Sequence, residues 1–236
     1  MKDACIIIPV YNEEQVIRGV VTSVLEKYAH VVCVDDGSTD GSLHELEQTG
    51  AVVLKHPFNL GQGASLQTGI EYALSHTDCE YFVTFDADGQ HDVANVDRLL
   101  RTLQEHALDI VLGSRFLPHE ASVDGTPKSL RLPLLRKMML KMAVLLTRLE
   151  SGLKLTDTHN GLRAFTRRVA AELDIRAPGM AHASEIINTI AERGYSFQEV
   201  PVTIHYSEYA RAKGQSMLNA INLFVDLLFK GSRRIR

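Results

Sequence analysis

The chain has 236 residues, 45% of them hydrophobic and 23% charged, with a formal net charge of -4. That hydrophobic content supports a large buried core and excludes intrinsic disorder, and the mild acidity argues against nucleic acid as the main partner. Cys5, Cys33 and Cys79 are odd in number and widely spaced, and two lie in apolar runs, so buried free thiols are expected rather than a disulfide framework.

The first apolar run, ACIIIPV at 4–10, reads as a buried strand, and EEQVIRGVVTSVLEKY at 13–28 has helical spacing with acidic residues in its first turn. VVCV at 31–34 predicts a strand, GSLHELEQ at 41–48 a helix, AVVLK at 51–55 a strand and GASLQTGIEYALS at 63–75 a helix. YFVTF at 81–85, VANVDRLLRTLQEH at 93–106 and DIVLGS at 109–114 continue the alternation as strand, helix and strand. Such alternation implies βαβ crossovers, and hence an α/β fold with a mostly parallel central sheet flanked by helices.

In sheets of this kind ligands bind beyond the carboxyl ends of the strands. The polar sequences fall at those ends: PVYNEE, DDGSTDGS, HPFNLGQG, DADGQH and GSR follow the five strands in turn. Each alone reads as a turn or a helix cap, but five on one edge describe a pocket for a polar, phosphate-bearing ligand. DADGQH poses its own problem. Asp86 and Asp88 flank a single alanine, so extended backbone would turn both carboxylates to one face. A shared proton, an arginine or a divalent cation must relieve the repulsion. A dinucleotide-binding oxidoreductase would share the alternation but needs G-x-G-x-x-G after the first strand, where PVYNEE stands. A phosphatase with an aspartate nucleophile would carry its Asp-x-Asp nearer the N-terminus.

The ordered set PVYNEE, DDGSTDGS, NLGQGAS, DADGQH, GSR, TDTHNGLRAF and EVPV resembles glycosyltransferase family 2, most closely its dolichol- and polyprenyl-phosphate branch. The resemblance runs from Cys5 to about Leu218. It implies a GT-A fold, with 1–236 as one domain: 1–114 the nucleotide-sugar half, 115–236 the acceptor half with a C-terminal amphipathic helix. It further implies an inverting, metal-dependent transferase that moves a hexose from a nucleotide-diphospho-sugar, GDP- or UDP-linked, to a polyprenyl phosphate. Transfer to a saccharide hydroxyl in surface-polysaccharide assembly is the alternative. By resemblance Pro9, Tyr11 and Glu13 line the nucleoside pocket, Asp36 reaches the base or ribose, and Gly61 belongs to the cofactor-binding set. Asp86, Asp88 and Gln90 would hold Mg2+ or Mn2+, with His91 beside them. The intact DADGQ argues against an inactive sugar-binding subunit.

Acceptor chemistry divides the remaining candidates. A sugar hydroxyl needs a general base, whereas a phosphate monoester is already anionic and needs mainly positioning by cations. Arg115, Arg131, Arg211 and Lys213 are candidates to hold phosphates, and Arg211, Gly214 and Ser216 match an R-x-x-G-x-S segment of the lipid-phosphate branch. Asp157, His159 and Glu185 are the candidate bases. Where many relatives read S-D-P-x-S-G-F-R-x-F, this chain has TDTHNGLRAF, with His159 and Asn160 in place of small residues. The stretch 128–149 carries six basic and no acidic residues between Leu and Met, and 217–229 is also amphipathic, so either a membrane surface or the protein's own core can be its partner. The N-terminal run lacks a signal-peptide cleavage pattern, and no apolar stretch approaches the roughly 18 residues that span a bilayer. The expected location is cytoplasmic, with peripheral attachment to the cytoplasmic membrane face.

Overall fold

The computed structural model describes residues 3–118, 144, 147–148, 151–177 and 181–205. Arg131, the segment 206–236 with Arg211, Lys213, Gly214 and Ser216, and the amphipathic stretches 128–149 (apart from 144, 147 and 148) and 217–229 lie outside the described residues.

Among the described residues seven strands form one sheet: β1 (Ala4–Val10), β2 (His30–Asp35), β3 (Val52–Lys55), β4 (Tyr81–Thr84), β5 (Ile110–Ser114), β6 (Arg163–Thr166) and β7 (Phe197–Pro201). Their order is β3-β2-β1-β4-β6-β5-β7, so the chain reverses direction across the sheet at β1 and β4. The helices fully within the described residues are α1 (Ile17–Leu25), α2 (Ser42–Glu47), α3 (Gln62–His76), α4 (Val93–Glu105), α5 (Arg167–Glu172) and α6 (His182–Arg193). Strand periodicity explains the two-sided core. In β1, Ile6, Ile8 and Val10 pack with residues of α1, α2 and α4, while Cys5 and Ile7 pack with α3, α5 and α6 on the other face. Both faces are dry, hence the unbroken apolar run that marked this strand in the sequence. All three cysteines are buried and free, as expected.

Two features depart from the expected elements. The first helix begins at Ile17 rather than residue 13 and has no acidic residue in its first turn. Glu13 and Glu14 are used in the loop before it: the Glu13 N–H donates to Ser42 Oγ at 2.6 Å, and Glu14 Oε2 accepts from the Gly41 N–H at 2.7 Å. These contacts tie the end of β1 to the start of α2. The second departure is β6, an antiparallel strand inserted between β4 and β5, with Val83 opposite Ala164 and Val111 opposite Ala164 on the other side. An antiparallel strand starts where its parallel neighbours end. Residues just before and at the start of β6 therefore join the carboxyl-end loops, and this topology delivers 157–163 to the site.

The loop after β2 illustrates how tightly that edge is built. Gly37 has φ +67°, and a Cβ on it would lie 2.6 Å from the Phe58 carbonyl carbon. Only glycine meets both demands, the left-handed backbone and the close backbone approach. Gly37→Ala is expected to lower the unfolding free energy by about 2 kcal/mol, the combined scale of αL strain and overpacking. Chemical denaturation checks this; an unchanged midpoint would show that the loop relaxes freely.

Candidate functional site

A cleft of about 530 Å³ opens at the carboxyl edge of the sheet, and all five polar loops contribute to its lining. Pro9, Tyr11 and Glu13 lie at and beyond the end of β1, Asp36 just after β2, Asn59 and Gly61 in the β3–α3 loop, Gln62 at the start of α3, and Asp86, Ala87, Asp88, Gln90 and His91 in the turn after β4. Arg115 follows β5; His159, Asn160, Gly161 and Arg163 precede or open β6.

Asp36 is 3% exposed, and its carboxylate holds the neighbouring loop: Oδ1 accepts from Leu60 N–H at 2.9 Å and Oδ2 from Gly61 N–H at 2.8 Å. His56 Nδ1 lies 2.8 Å from the same Oδ1, and His56 Nε2 is 3.0 Å from Thr68 Oγ1. The ends of β2 and β3 and the first half of α3 are thereby fastened together. Gly61 contributes its N–H to this network and lies on the cleft wall.

β4 ends at Thr84, so Asp86 and Asp88 stand in the turn beyond it rather than in the strand itself. Their environments differ. Asp86 accepts from Gln62 Nε2 at 3.1 Å, and its Oδ2 is 3.2 Å from His91 Nε2. Gly161 makes this possible, since a Cβ there would fall 2.2 Å from either carboxylate oxygen. Burial favours the protonated form of Asp86, but the His91 hydrogen bond and the electrostatic pull of His91, Arg163 and His182 outweigh it, holding the group below the usual carboxylate range. On Asp88 the pull of His91 is outweighed by burial and by the Asp86 charge. The Asp88 oxygens accept from Gln90 N–H at 3.0 Å and Gln90 Nε2 at 2.7 Å, and burial together with the Asp86 charge pushes the group up to about 6.

Such a pair suits a hard divalent cation. Among the described residues no three His, Cys, Asp or Glu side chains gather closely enough to bind one by themselves. Mg2+ is commonly held by one or two carboxylates, with substrate phosphates and water completing its shell, and Asp88 is the under-neutralised oxygen donor such an ion would relieve. Gln90 presents its amide beside Asp88; its backbone carbonyl accepts from His205 N–H at 2.8 Å, and His91 bridges to Ile204, which pins the loop. His91 is therefore an internal partner of Asp86, its side chain 4% exposed.

The opposite wall is organised by Asp157. Its carboxylate pairs bidentately with Arg115, Nε to Oδ2 at 2.6 Å and Nη2 to Oδ1 at 2.8 Å, and also accepts from the Arg115 and His159 N–H groups. Burial opposes this charge, but Arg115 and the backbone donors keep Asp157 below the usual range. Glu199 of β7 accepts from the Thr156 and Asp157 N–H groups at 2.8–2.9 Å and sets the turn. His159 Nδ1 is 2.7 Å from Thr158 Oγ1; burial drives its pKa down to about 4, with Asp157 pulling up and Arg115 and Arg163 pushing down. Its imidazole is neutral at pH 7.

Glu185 is elsewhere. Its Oε2 accepts from the Arg176 and Ala177 N–H groups at 3.1 and 2.8 Å, and it is not among the cleft-lining residues. Sequence reasoning missed Gln62, Arg163 and His182, which border the cleft near Asp86. Gln62 lay in the quoted NLGQG loop and Arg163 in TDTHNGLRAF, but neither signals in sequence that it faces Asp86.

The glycosyl transferase family 2 model matches residues 5–174. The chain is 30% identical over 244 residues to the UDP-N-acetylglucosamine–dolichyl-phosphate N-acetylglucosaminyltransferase of Methanococcus voltae, covering 94% of each chain. It is 29% identical over 219 residues to the polyprenol monophosphomannose synthase of Mycolicibacterium smegmatis, covering 88% of this chain and 79% of that one. The fold is similar to that of glucosyl-3-phosphoglycerate synthase from Mycobacterium tuberculosis in complex with Mg2+ and UDP, with TM-score 0.67, 18% identity and coverage of 96% of this chain and 79% of that one.

Asp88 supplies a test in metal-free buffer. Its folded pKa is raised, so the ionised group costs stability above pH 6, and the cost fades as pH falls toward 4. Discounted for partial exposure, removing that charge is worth about 1 kcal/mol, or ~2–4 °C in a domain of this size. Asp88→Asn should therefore melt higher than native protein at pH 7 and at the same temperature near pH 4. A variant that melts lower at pH 7 would contradict the under-neutralised pair.

Proposed function

Because the chain belongs to glycosyl transferase family 2 and is a glycosyltransferase of GT-A fold, we propose that it transfers a hexose from a nucleotide-diphospho-sugar to a polyprenyl phosphate. The reading has the anomeric carbon inverted and Mg2+ or Mn2+ required. The donor lies over the ends of β1, β2 and β4, where Pro9, Tyr11, Glu13 and Gly61 border the nucleoside and Asp36 fixes the loop that covers it. Asp86, Asp88 and Gln90 would hold the cation, which when bound supplies charge stabilisation for the departing nucleoside diphosphate. Two relatives whose names specify dolichyl phosphate and polyprenol monophosphomannose support the acceptor class.

One observation carries the choice of acceptor: two of the three candidate bases, Asp157 and Glu185, are already engaged. Asp157 is locked on Arg115 with a depressed pKa, and Glu185 is bound to two backbone N–H groups outside the cleft. A phosphate monoester needs no base, because its own oxyanion attacks the anomeric carbon. Its requirement is a cation-lined approach, and Arg115 and Arg163 provide one; Arg211 would add to it by its motif position. Transfer to a saccharide hydroxyl has His159 as its base, since Nε2 is buried at the cleft without a partner among the described residues. A conjugate-acid pKa of about 4 makes that base weak at pH 7.

The reaction is placed on the cytoplasmic face of a membrane, where nucleotide sugars and a lipid phosphate meet. No helix among the described residues is long and apolar enough to cross a bilayer. Mass spectrometry of products tests the reading, with purified protein, Mn2+, a panel of GDP- and UDP-sugars, and undecaprenyl phosphate in detergent. One donor should yield a glycosyl-phosphoprenyl product. Metal-dependent donor hydrolysis with no lipid product under any donor would move the acceptor to a saccharide. Asp157→Asn should lower kcat by roughly 10-fold or more through a loosened Arg115 while leaving the pH profile unchanged; loss of the acidic limb from that profile would instead make Asp157 the base.

A further inference from the structure

Arg163 is a buried arginine without a hydrogen-bonding or ion-pair partner among the described residues. It is 2% exposed and opens β6 between Thr84 of β4 and Leu112 of β5. Its Nη1 has no hydrogen-bond partner, and among the described residues its side chain makes no hydrogen bond or ion pair. Asp86 and Asp157 act on it only through their charges. A buried guanidinium in this state is costly unless an anion joins it. Burial lowers its pKa to about 10, against the pull of both aspartates, so it remains a cation at pH 7.

Asn160 shows the same deficit three residues earlier. It is 5% exposed, and its Oδ1 accepts from the Leu162 N–H at 2.9 Å. That bond orients the amide, leaving Nδ2 as a buried donor on the cleft wall without a partner among the described residues. A Cβ on Gly113 would be 3.1 Å from Asn160 Oδ1, so the side chain stands over the end of β5. The nucleoside residues lie over β1 and β2, on the far side of β4 in the strand order.

We propose that Asn160 and Arg163 form the subsite that receives the acceptor's phosphate oxyanion, an assignment that rests on the lipid-phosphate reading above. Two unsatisfied donors, one of them a planar cationic fork, match two oxygens of a phosphate monoester. They stand on the same wall as Arg115, whose charge is already shared with Asp157.

Asn160→Asp tests this without removing the backbone contact, because an aspartate oxygen can still accept from the Leu162 N–H. Calorimetric titrations of geranyl phosphate and of the neutral alcohol geraniol, into protein loaded with Mn2+ and UDP, give the readout. Native protein should bind the phosphate and not the alcohol. In Asn160→Asp, phosphate affinity should fall roughly 10- to 100-fold, the scale of one hydrogen bond to a charged group, with UDP affinity held within about 2-fold. Arg163→Lys, which keeps the charge but loses the fork, should weaken the same ligand. Unchanged geranyl phosphate binding in Asn160→Asp overturns the subsite, and so does an equal loss of UDP affinity, which would assign the donors to the nucleotide's diphosphate. Asn160-dependent phosphate binding by a protein that makes no glycosyl-phosphoprenyl product would keep the anion subsite and overturn the acceptor reading instead.

Discussion

Two carboxylates one residue apart, at the end of the strand that pairs with the centre of the sheet, constrain everything around them. Asp86 is neutralised from within: Gln62 and His91 contact it, Arg163 and His182 act on it through charge, and Gly161 leaves the space it occupies. Among the described residues Asp88 accepts hydrogen bonds from Gln90 of its own loop, and the pull of His91 does not offset burial and the Asp86 charge. The fold thus solves half of the repulsion and leaves the other half for a ligand. A site that were fully neutral would have no reason to bind a cation, and one with two bare carboxylates would cost the fold more than a marginally stable domain can spare.

The topology supplies the compensation. Parallel strands bring only their carboxyl-end loops to the cleft, whereas the reversed β6 brings the residues that precede it. Its insertion between β4 and β5 sets Arg163 beside the aspartates and runs the 157–161 segment across the same edge. Charges then alternate from Asp86 to Arg163, Asp157 and Arg115, of which Asp157 is buried and does not line the cleft. Glu199, the Asp36 network and the bridge of His91 to Ile204 hold these loops by backbone contacts. A cleft so braced can keep its charged groups in fixed positions before a ligand arrives, which is the condition for electrostatic stabilisation of a departing diphosphate.

The parallel βαβ part of the fold was legible in the sequence because each of β1 to β5 is a short apolar run followed by turn chemistry, and the five polar loops did converge on one cleft. The β6 strand was not legible: RAFT is four residues long, begins with an arginine, and pairs with strands remote in sequence. The helical pattern at 13–28 extended too far because Glu13 and Glu14 look like first-turn acids, while their actual contacts are with Ser42 and Gly41. Asp157 and Arg115, 42 residues apart, and Asp36 with the Leu60 and Gly61 amides are tertiary pairings with no local pattern to reveal them. Aspartate spacing showed that a charge problem existed, but only the folded neighbours show which carboxylate is solved.

Calorimetric titration of Mn2+ into the native protein, with and without UDP, tests the central claim most directly. If Asp86 and Asp88 form an incomplete cation site that a diphosphate completes, Mn2+ binds weakly alone and tightens by roughly 10-fold or more with UDP, the usual scale of coupling between two ligands. Linkage requires UDP affinity to rise by the same factor with Mn2+. Equal Mn2+ affinity in both titrations, or UDP binding that is indifferent to the cation, would contradict the account.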